Sequence, residues 1–334
     1  MISKFSEASP LADGFIMGVA SCLSGIPVFL VAPPSGGKTV VIRATEKWMD
    51  NHDMKYRQVS RIGLKGLKEL SIWINKNQNV ALTNDDFSLI GSSDYMVEKM
   101  AEIVASLSYD HRYVDYGNDI IVSCSSLSFV SGLQPLWLQY VMRYRVWDTH
   151  LREKFVRFYM VPYKDSKDID DVTAINNLSK ALDLTDGYDA RVDKDLLEAL
   201  VSQLGYTRGL IYYQKLHEAL TRIIDRDYFH DVSKFLASRI RVESMIVSRE
   251  VTDRGYEINV GWRAYTMLYW CMRIGKPSKT DLCIRLGITP RSVERLAEDA
   301  VSRGWIATTR NSTTVRYIVN PIISEMFSWR GWYA

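Results

Sequence analysis

The chain has 334 residues, 47% apolar and 24% charged, with a net charge of +3. That profile fits a globular protein of two or three domains and excludes a disordered or fibrous one. Its four cysteines (Cys22, Cys124, Cys271 and Cys283) are far apart and form no C-x-x-C pair. This argues against a zinc site or disulfide framework and suits a reducing compartment.

The first informative stretch, Phe15 to Gly37, carries no charge. Gly25 and Pro27 divide it, so a helix, a turn and a buried strand over 27–32 are expected rather than a membrane span. The strand runs into Ala32-Pro-Pro-Ser35-Gly36-Gly37-Lys38-Thr39. This is a phosphate-binding loop whose first glycine is replaced by Ala32. Glycines let backbone N–H groups turn toward phosphate, Lys38 reaches the β- and γ-phosphates, and Thr39 ligates Mg²⁺. A helix opening at the lysine adds its positive dipole end. ATP and Mg²⁺ are the expected cofactors.

Further strands are predicted at 55–60, 79–84, 119–124 and 156–161, with amphipathic stretches such as Leu64–Ile74 between them. Alternating strands and helices imply a parallel sheet covered on both faces, with ligands at the strands' carboxyl ends. Val80-Ala-Leu-Thr-Asn ends in Asp85-Asp86. Asp85 is assigned to the metal, and Asp86 stands where many such ATPases carry a water-polarising glutamate. Ser125, with Ser123 and Ser126 beside it, closes the 119–124 strand as the candidate γ-phosphate sensor.

The order of these motifs resembles the AAA+ ATPases. The resemblance implies an arginine finger just before the last strand. Arg152 matches best, with Arg145 and Lys154 as competitors, and it would reach the ATP of a neighbouring copy. It also implies a helical lid over 164–250 and carries the sensor 2 role to Arg208 in Gly205-Tyr-Thr-Arg208-Gly-Leu. The expected class is thus α/β: a P-loop parallel-sheet core over 1–163, an α-helical lid, and a third domain over 251–334. Ala32, Asp86 and Ser125 depart from the usual residues, so slow, assembly-dependent hydrolysis is expected.

Residues 258–321 hold ten Lys or Arg and four acids, a net of +6. They have the layout of a winged helix-turn-helix. A first helix spans 262–274, and Ser278 and Asp281 suggest a capping box for a second. After Gly287, Thr289 and Pro290 open a third helix, with Val293, Leu296, Ala297, Ala300 and Val301 inward and Arg291, Ser292 and Arg295 outward. A hairpin with its tip at 310–314 follows. Lys279, Arg291, Ser292, Arg295, Arg310 and Arg316 are the candidate DNA contacts. The aromatic tail 326–334 is read either as a docking element or as a segment folded back on the hairpin.

A core, lid and winged helix in this order resemble the origin-recognition-type replication initiators. This implies an ATP-controlled protein on duplex DNA that assembles with copies of itself and engages a helicase or other replication factor in the cytoplasm, associated with the nucleoid. Two alternatives are a helicase or transposase helper ATPase and an ATP-sensing transcription regulator with little turnover.

Overall fold

The computed structural model describes residues 11–91, 93–142, 147–162, 170–252, 255–311 and 314–327. The chain opens with helix α1 (Ala12–Ser24), strand β1 (Pro27–Val31), α2 (Lys38–Asn51), β2 (Tyr56–Gln58), α3 (Leu64–Asn77) and β3 (Asn79–Asn84). Next come α4 (Asp94–Asp110), β4 (Arg112–Asp115), β5 (Ile120–Ser123), β6 (Ser126–Leu133), α5 (Pro135–Val141) and β7 (Val156–Tyr159). Strands β2, β3, β6, β1 and β7, in that spatial order, form one parallel five-stranded sheet. The fold is therefore α/β and compatible with a P-loop-like core.

Each residue of β1 is buried, although successive side chains point to opposite faces, so helices must cover both. Beneath the sheet's carboxyl edge lies an aromatic cluster. Phe29 stacks on Phe155 with centroids 4.7 Å apart, and Phe87 meets Phe29 edge-on at 4.9 Å. Phe87 directly follows Asp86 and is fully buried, which pins the acidic turn to the end of β3.

The third sheet strand differs from expectation. Ile120–Ser123 pairs antiparallel with Arg112–Asp115 in a separate hairpin, with burial alternating along it. The strand between β3 and β1 is β6, Ser126–Leu133, whose serines and glycine disguised it. Ser131 donates to Asn84 Oδ1 at 2.8 Å, which satisfies its hydroxyl inside the sheet.

A helical region follows: α6 (Asp171–Leu178), α7 (Lys194–Leu204), α8 (Tyr206–Thr221) and α9 (Phe229–Ile246). Asp193 caps α7 as its sequence position implies, accepting from Leu196 N at 3.0 Å. Trp48 Nε1 on α2 donates to the Leu182 carbonyl at 2.9 Å, fastening this region to the core. Helix α9 carries two charge pairs, one fully buried and one partly so. Arg239 Nε donates to Asp13 Oδ2 at 2.8 Å with both side chains buried, and Arg157 on β7 meets both carboxylate oxygens of Glu243 at 2.7 Å. Desolvation pushes the Asp13 pKa up despite the opposing guanidinium.

The chain then forms the hairpin β8 (Val247–Thr252) and β9 (Gly255–Val260), followed by α10 (Trp262–Ile274), α11 (Lys279–Leu286) and α12 (Pro290–Ser302). It closes with the hairpin β10 (Ile306–Asn311) and β11 (Thr314–Val319) and with α13 (Pro321–Phe327). The local signals here act as expected. Ser278 and Asp281 form a full capping box, Gly287 ends α11 at φ +63°, and Thr289 caps α12 with Pro290 in its first turn. Val293, Leu296, Ala297 and Ala300 are buried, but Val301 is 42% exposed, one position beyond the inward stripe. Phe327 is buried and its carbonyl accepts from Arg239 at 3.3 Å, while tail residues 328–334 lie outside the described residues. Among the described residues, no helix is long and apolar enough to cross a membrane.

Removing one partner of the Asp13–Arg239 pair leaves a buried charge uncompensated. Asp13→Ala is expected to cost about 3–5 kcal/mol of unfolding free energy, measured by urea denaturation. The double change Asp13→Leu with Arg239→Met should recover much of that loss.

Candidate functional site

Because the five strands run parallel, their carboxyl ends (Val31, Gln58, Asn84, Leu133 and Tyr159) share one edge. The loop Ala32–Gly37 emerges there, and α2 begins at Lys38 immediately after it. Ala32 N–H donates to the Leu133 carbonyl at 3.2 Å and Gly36 N–H to the Pro33 carbonyl at 3.0 Å, which sets the loop's curvature. Gly37 has φ +83°, and a Cβ on Gly36 would lie 2.8 Å from both Ala32 Cβ and the Pro33 carbonyl oxygen. Neither position accepts a side chain without distortion. Ser35 also adopts a left-handed backbone, at φ +57°.

Lys38 folds back into this loop. Its Nζ donates to the carbonyls of Ala32 (2.7 Å) and Pro33 (2.9 Å). Burial lowers its pKa to about 8, against the opposing pull of the Asp86 carboxylate. Thr39 is exposed at the start of α2.

The two carboxylates lie on the same edge with different partners. Asp85 Oδ2 accepts from Arg43 Nη2 at 3.0 Å and from Gln58 Nε2 at 3.2 Å. Its Oδ1 is buried without a hydrogen-bond partner among the described residues. Asp86 Oδ1 caps the following turn, accepting from Ser88 N (3.1 Å) and Oγ (2.7 Å), while Oδ2 accepts from Gln134 Nε2 at 2.9 Å. The spacing of the sequence foresaw both acids on this edge. It did not foresee Arg43, Gln134 or Gly132. A Cβ on Gly132 would sit 2.2 Å from the Asp85 carbonyl oxygen and 3.4 Å from Lys38 Cδ, so the strand gives way there to the lysine and the acidic turn. Gln134 was discoverable, because it follows the apolar positions Leu127, Phe129, Val130 and Leu133 as Asp85 follows β3. Arg43 is one helical turn past Thr39, a position the spacing places on the same face.

Ser125 requires correction. It precedes β6, and its N–H donates to the Gln78 carbonyl at 2.9 Å, at the amino edge of the sheet. The polar side chain at the carboxyl end of the true strand is Gln134. Arg208 also lies at the amino edge. Its guanidinium stacks on Tyr109 at 4.6 Å and donates to the Glu153 carbonyl at 3.3 Å, just before β7 begins. It therefore does not meet the Ala32–Gly37 loop of its own chain. Arg152 and Lys154 are half-buried on that same edge, and Arg145 lies outside the described residues.

The C-terminal helices pack directly against the loop. The Tyr265 hydroxyl lies 2.8 Å from the Val31 carbonyl and 2.5 Å from that of Met160, and the Tyr269 hydroxyl donates to the Gly36 carbonyl at 2.9 Å. Among the DNA candidates, Arg291, Arg295, Arg310 and Arg316 are exposed and Ser292 is half-buried. Lys279 pairs with Glu294 at 2.9 Å, and Arg316 donates to the Lys276 carbonyl at 3.0 Å. Ser292 and Arg295 also line a cleft of about 340 Å³ that reaches Ser35 and Gln134.

Two measurements follow from this geometry. Gly132→Ala should destabilise the fold by about 1–3 kcal/mol through overpacking, seen as a lower denaturation midpoint. Lys38 binds its proton up to pH 10.5 when unfolded but only to about 8 when folded. Its destabilising contribution is therefore full below pH 8 and is relieved as pH rises toward 10.5. The stability of the native protein relative to Lys38→Met should rise across that window. No protein-family model matches the chain and no curated protein matches it in sequence.

Proposed function

We propose that the protein is a P-loop ATPase of AAA+ type that binds duplex DNA through a C-terminal winged helix and acts as a replication initiator or loader. The observation that carries this reading is the convergence of Lys38, Thr39, Asp85 and Asp86 on one carboxyl edge of a parallel sheet ordered β2-β3-β6-β1-β7. The residues present fit MgATP. The loop is shaped by Gly36 and Gly37, where added Cβ atoms would clash, and the unpartnered Asp85 Oδ1 is a ready acceptor for a metal's water. Thr39 and Asp85 would hold Mg²⁺, and Lys38 would hold the phosphates. The ion supplies neutralisation of the phosphate charge when bound. Asp86, positioned by Gln134, is the candidate acceptor of a proton from attacking water. Arg152 remains the candidate finger toward a neighbouring copy.

The DNA reading is supported by the sequence α10, α11, turn, α12 and hairpin, with Arg291 and Arg295 exposed on α12 and Arg310 and Arg316 on the hairpin. Contacts of this kind position a reading helix on phosphates. A second reading, an ATP-sensing regulator with little turnover, draws on the engaged carboxylates. Arg43 and Gln58 occupy Asp85 Oδ2, and Gln134 and Ser88 occupy Asp86. Catalysis requires these groups to be released or shared.

The deciding experiment is ATP hydrolysis by purified protein with and without duplex DNA, across protein concentrations, beside Lys38→Ala and Arg152→Ala. The initiator reading expects turnover that rises with DNA and concentration and falls by at least about tenfold in both variants. ATP binding without turnover under every condition favours the regulator instead. For DNA, removing Arg295 or Arg310 should each reduce the slope of log K against log salt by about 1.

A further inference from the structure

The cleft beside the phosphate loop joins two parts of the chain that the sequence keeps far apart. One wall is Ser35, from the loop, and Gln134, whose amide donates to Asp86 at 2.9 Å. The opposite wall is formed by Trp262 and Arg263 on α10 and Ser292 and Arg295 on α12. The lining includes three arginines (Arg285 is the third) and no carboxylate. A cleft lined by one sign of charge with apolar walls concentrates the opposite charge. Its volume of about 340 Å³ falls within the range of small-molecule sites. Arg263 lies over the Trp262 ring at 5.6 Å, which restricts its guanidinium before any ligand arrives. The two walls cannot drift apart freely, because the Tyr269 hydroxyl holds the Gly36 carbonyl and Tyr265 those of Val31 and Met160.

We propose that Arg263 and Arg295 form an intramolecular clamp for the terminal phosphate of a nucleoside triphosphate seated on the loop of the same chain. The proposal rests on the P-loop reading above and adds a contact from the C-terminal helices. The cleft reaches Ser35 in the loop and Gln134, whose amide holds Asp86, and in this proposal the terminal phosphate lies between those two residues and the arginines. A diphosphate falls short of that position, so the clamp distinguishes ATP from ADP. Arg295 is also one of the exposed bases of α12 assigned to DNA. A triphosphate therefore draws on the same guanidinium as the nucleic acid backbone, and ATP weakens DNA binding relative to ADP.

Calorimetric titration of MgATP and MgADP tests this on the full chain, comparing the native protein, Lys38→Ala, the double variant Arg263→Ala/Arg295→Ala, and Arg263→Lys/Arg295→Lys. The clamp predicts that the double alanine variant loses about tenfold or more in ATP affinity, with ADP affinity changed less than about twofold and the lysine pair intermediate. Thermal melts identify any variant that fails to fold, and the lysine pair then carries the comparison. If nucleotide binding depends on Lys38 but the ATP to ADP ratio is the same in all arginine variants, the clamp is wrong and the P-loop reading stands. If binding is indifferent to Lys38, or the native protein binds neither nucleotide, both fall. In a parallel arm, a fluorescein-labelled duplex at fixed salt should bind the native protein more weakly with ATP than with ADP. Equal affinities would overturn the competition.

Discussion

The hydroxyls of Tyr265 and Tyr269 are the contacts on which the arrangement of the sheet's carboxyl edge depends. Both lie on α10, both are buried, and both meet backbone carbonyls at the ends of β1 and β7 or in the Ala32–Gly37 loop itself. Each hydroxyl fixes an angle as well as a distance, and at Val31 it adds to the backbone bond from Met160 N–H at 2.9 Å. The first helix of the basic C-terminal segment thus becomes part of the roof over the loop. Because α12 packs on α10, the exposed arginines of α12 inherit a fixed position relative to Lys38. Replacing either tyrosine by phenylalanine keeps the packing area but releases this alignment.

Helix α9 performs a complementary task beside β7 and α1, with Glu243 close to the Tyr159 ring on which Tyr265 packs. Its Glu243 takes Arg157 from β7, and its Arg239 takes Asp13 from α1. Two ion pairs of opposite polarity along one helix specify its rotation and register against the core, since a sliding helix would strand four charges. Their net contribution to stability is small compared with the penalty for breaking them. The amino edge gathered around Arg157, Arg208 and Glu153 is therefore a structural edge. The carboxyl edge, with Lys38, Asp85, Asp86 and Gln134, holds polar groups whose partners are easier to exchange.

What was legible in the sequence was local. The loop from Ala32 to Thr39, the capping box at Ser278 and Asp281, the Thr289-Pro290 helix start and the Asp85-Asp86 turn each depend on neighbours within a few residues. The errors share one cause. Ser125 and Arg208 were placed by their order along the chain, but which edge of a sheet a residue occupies is decided by which strand enters the sheet. Ile120–Ser123 looks more like a core strand than Ser126–Leu133, which carries three serines and a glycine. Only tertiary pairing, such as that of Ser131 with Asn84, shows that the latter is central. Arg43 and Gln134 stand at positions that spacing could have marked once the true strand was known, whereas Gly132 is explained only by the close approach of the Asp85 carbonyl between strands. The tyrosines of α10 join residues more than a hundred positions apart.

The Asp13–Arg239 pair spans 226 residues, and the Arg239 guanidinium then takes the Phe327 carbonyl 88 residues further on. A chain made from its amino end at about 5–20 residues per second exposes Asp13 for roughly 10–45 s before its partner exists. During that interval α1, almost entirely buried in the finished protein, has an uncompensated carboxylate in its first turn. The nascent sheet can pair β1 with β6, and α1 can pack on α2 and β6, well before then, so the turn around Asp13 is the piece that waits. Fusions or truncations that delay or delete the segment around Phe327 should thus show their damage at the opposite end of the chain, as loosening of the first turn of α1.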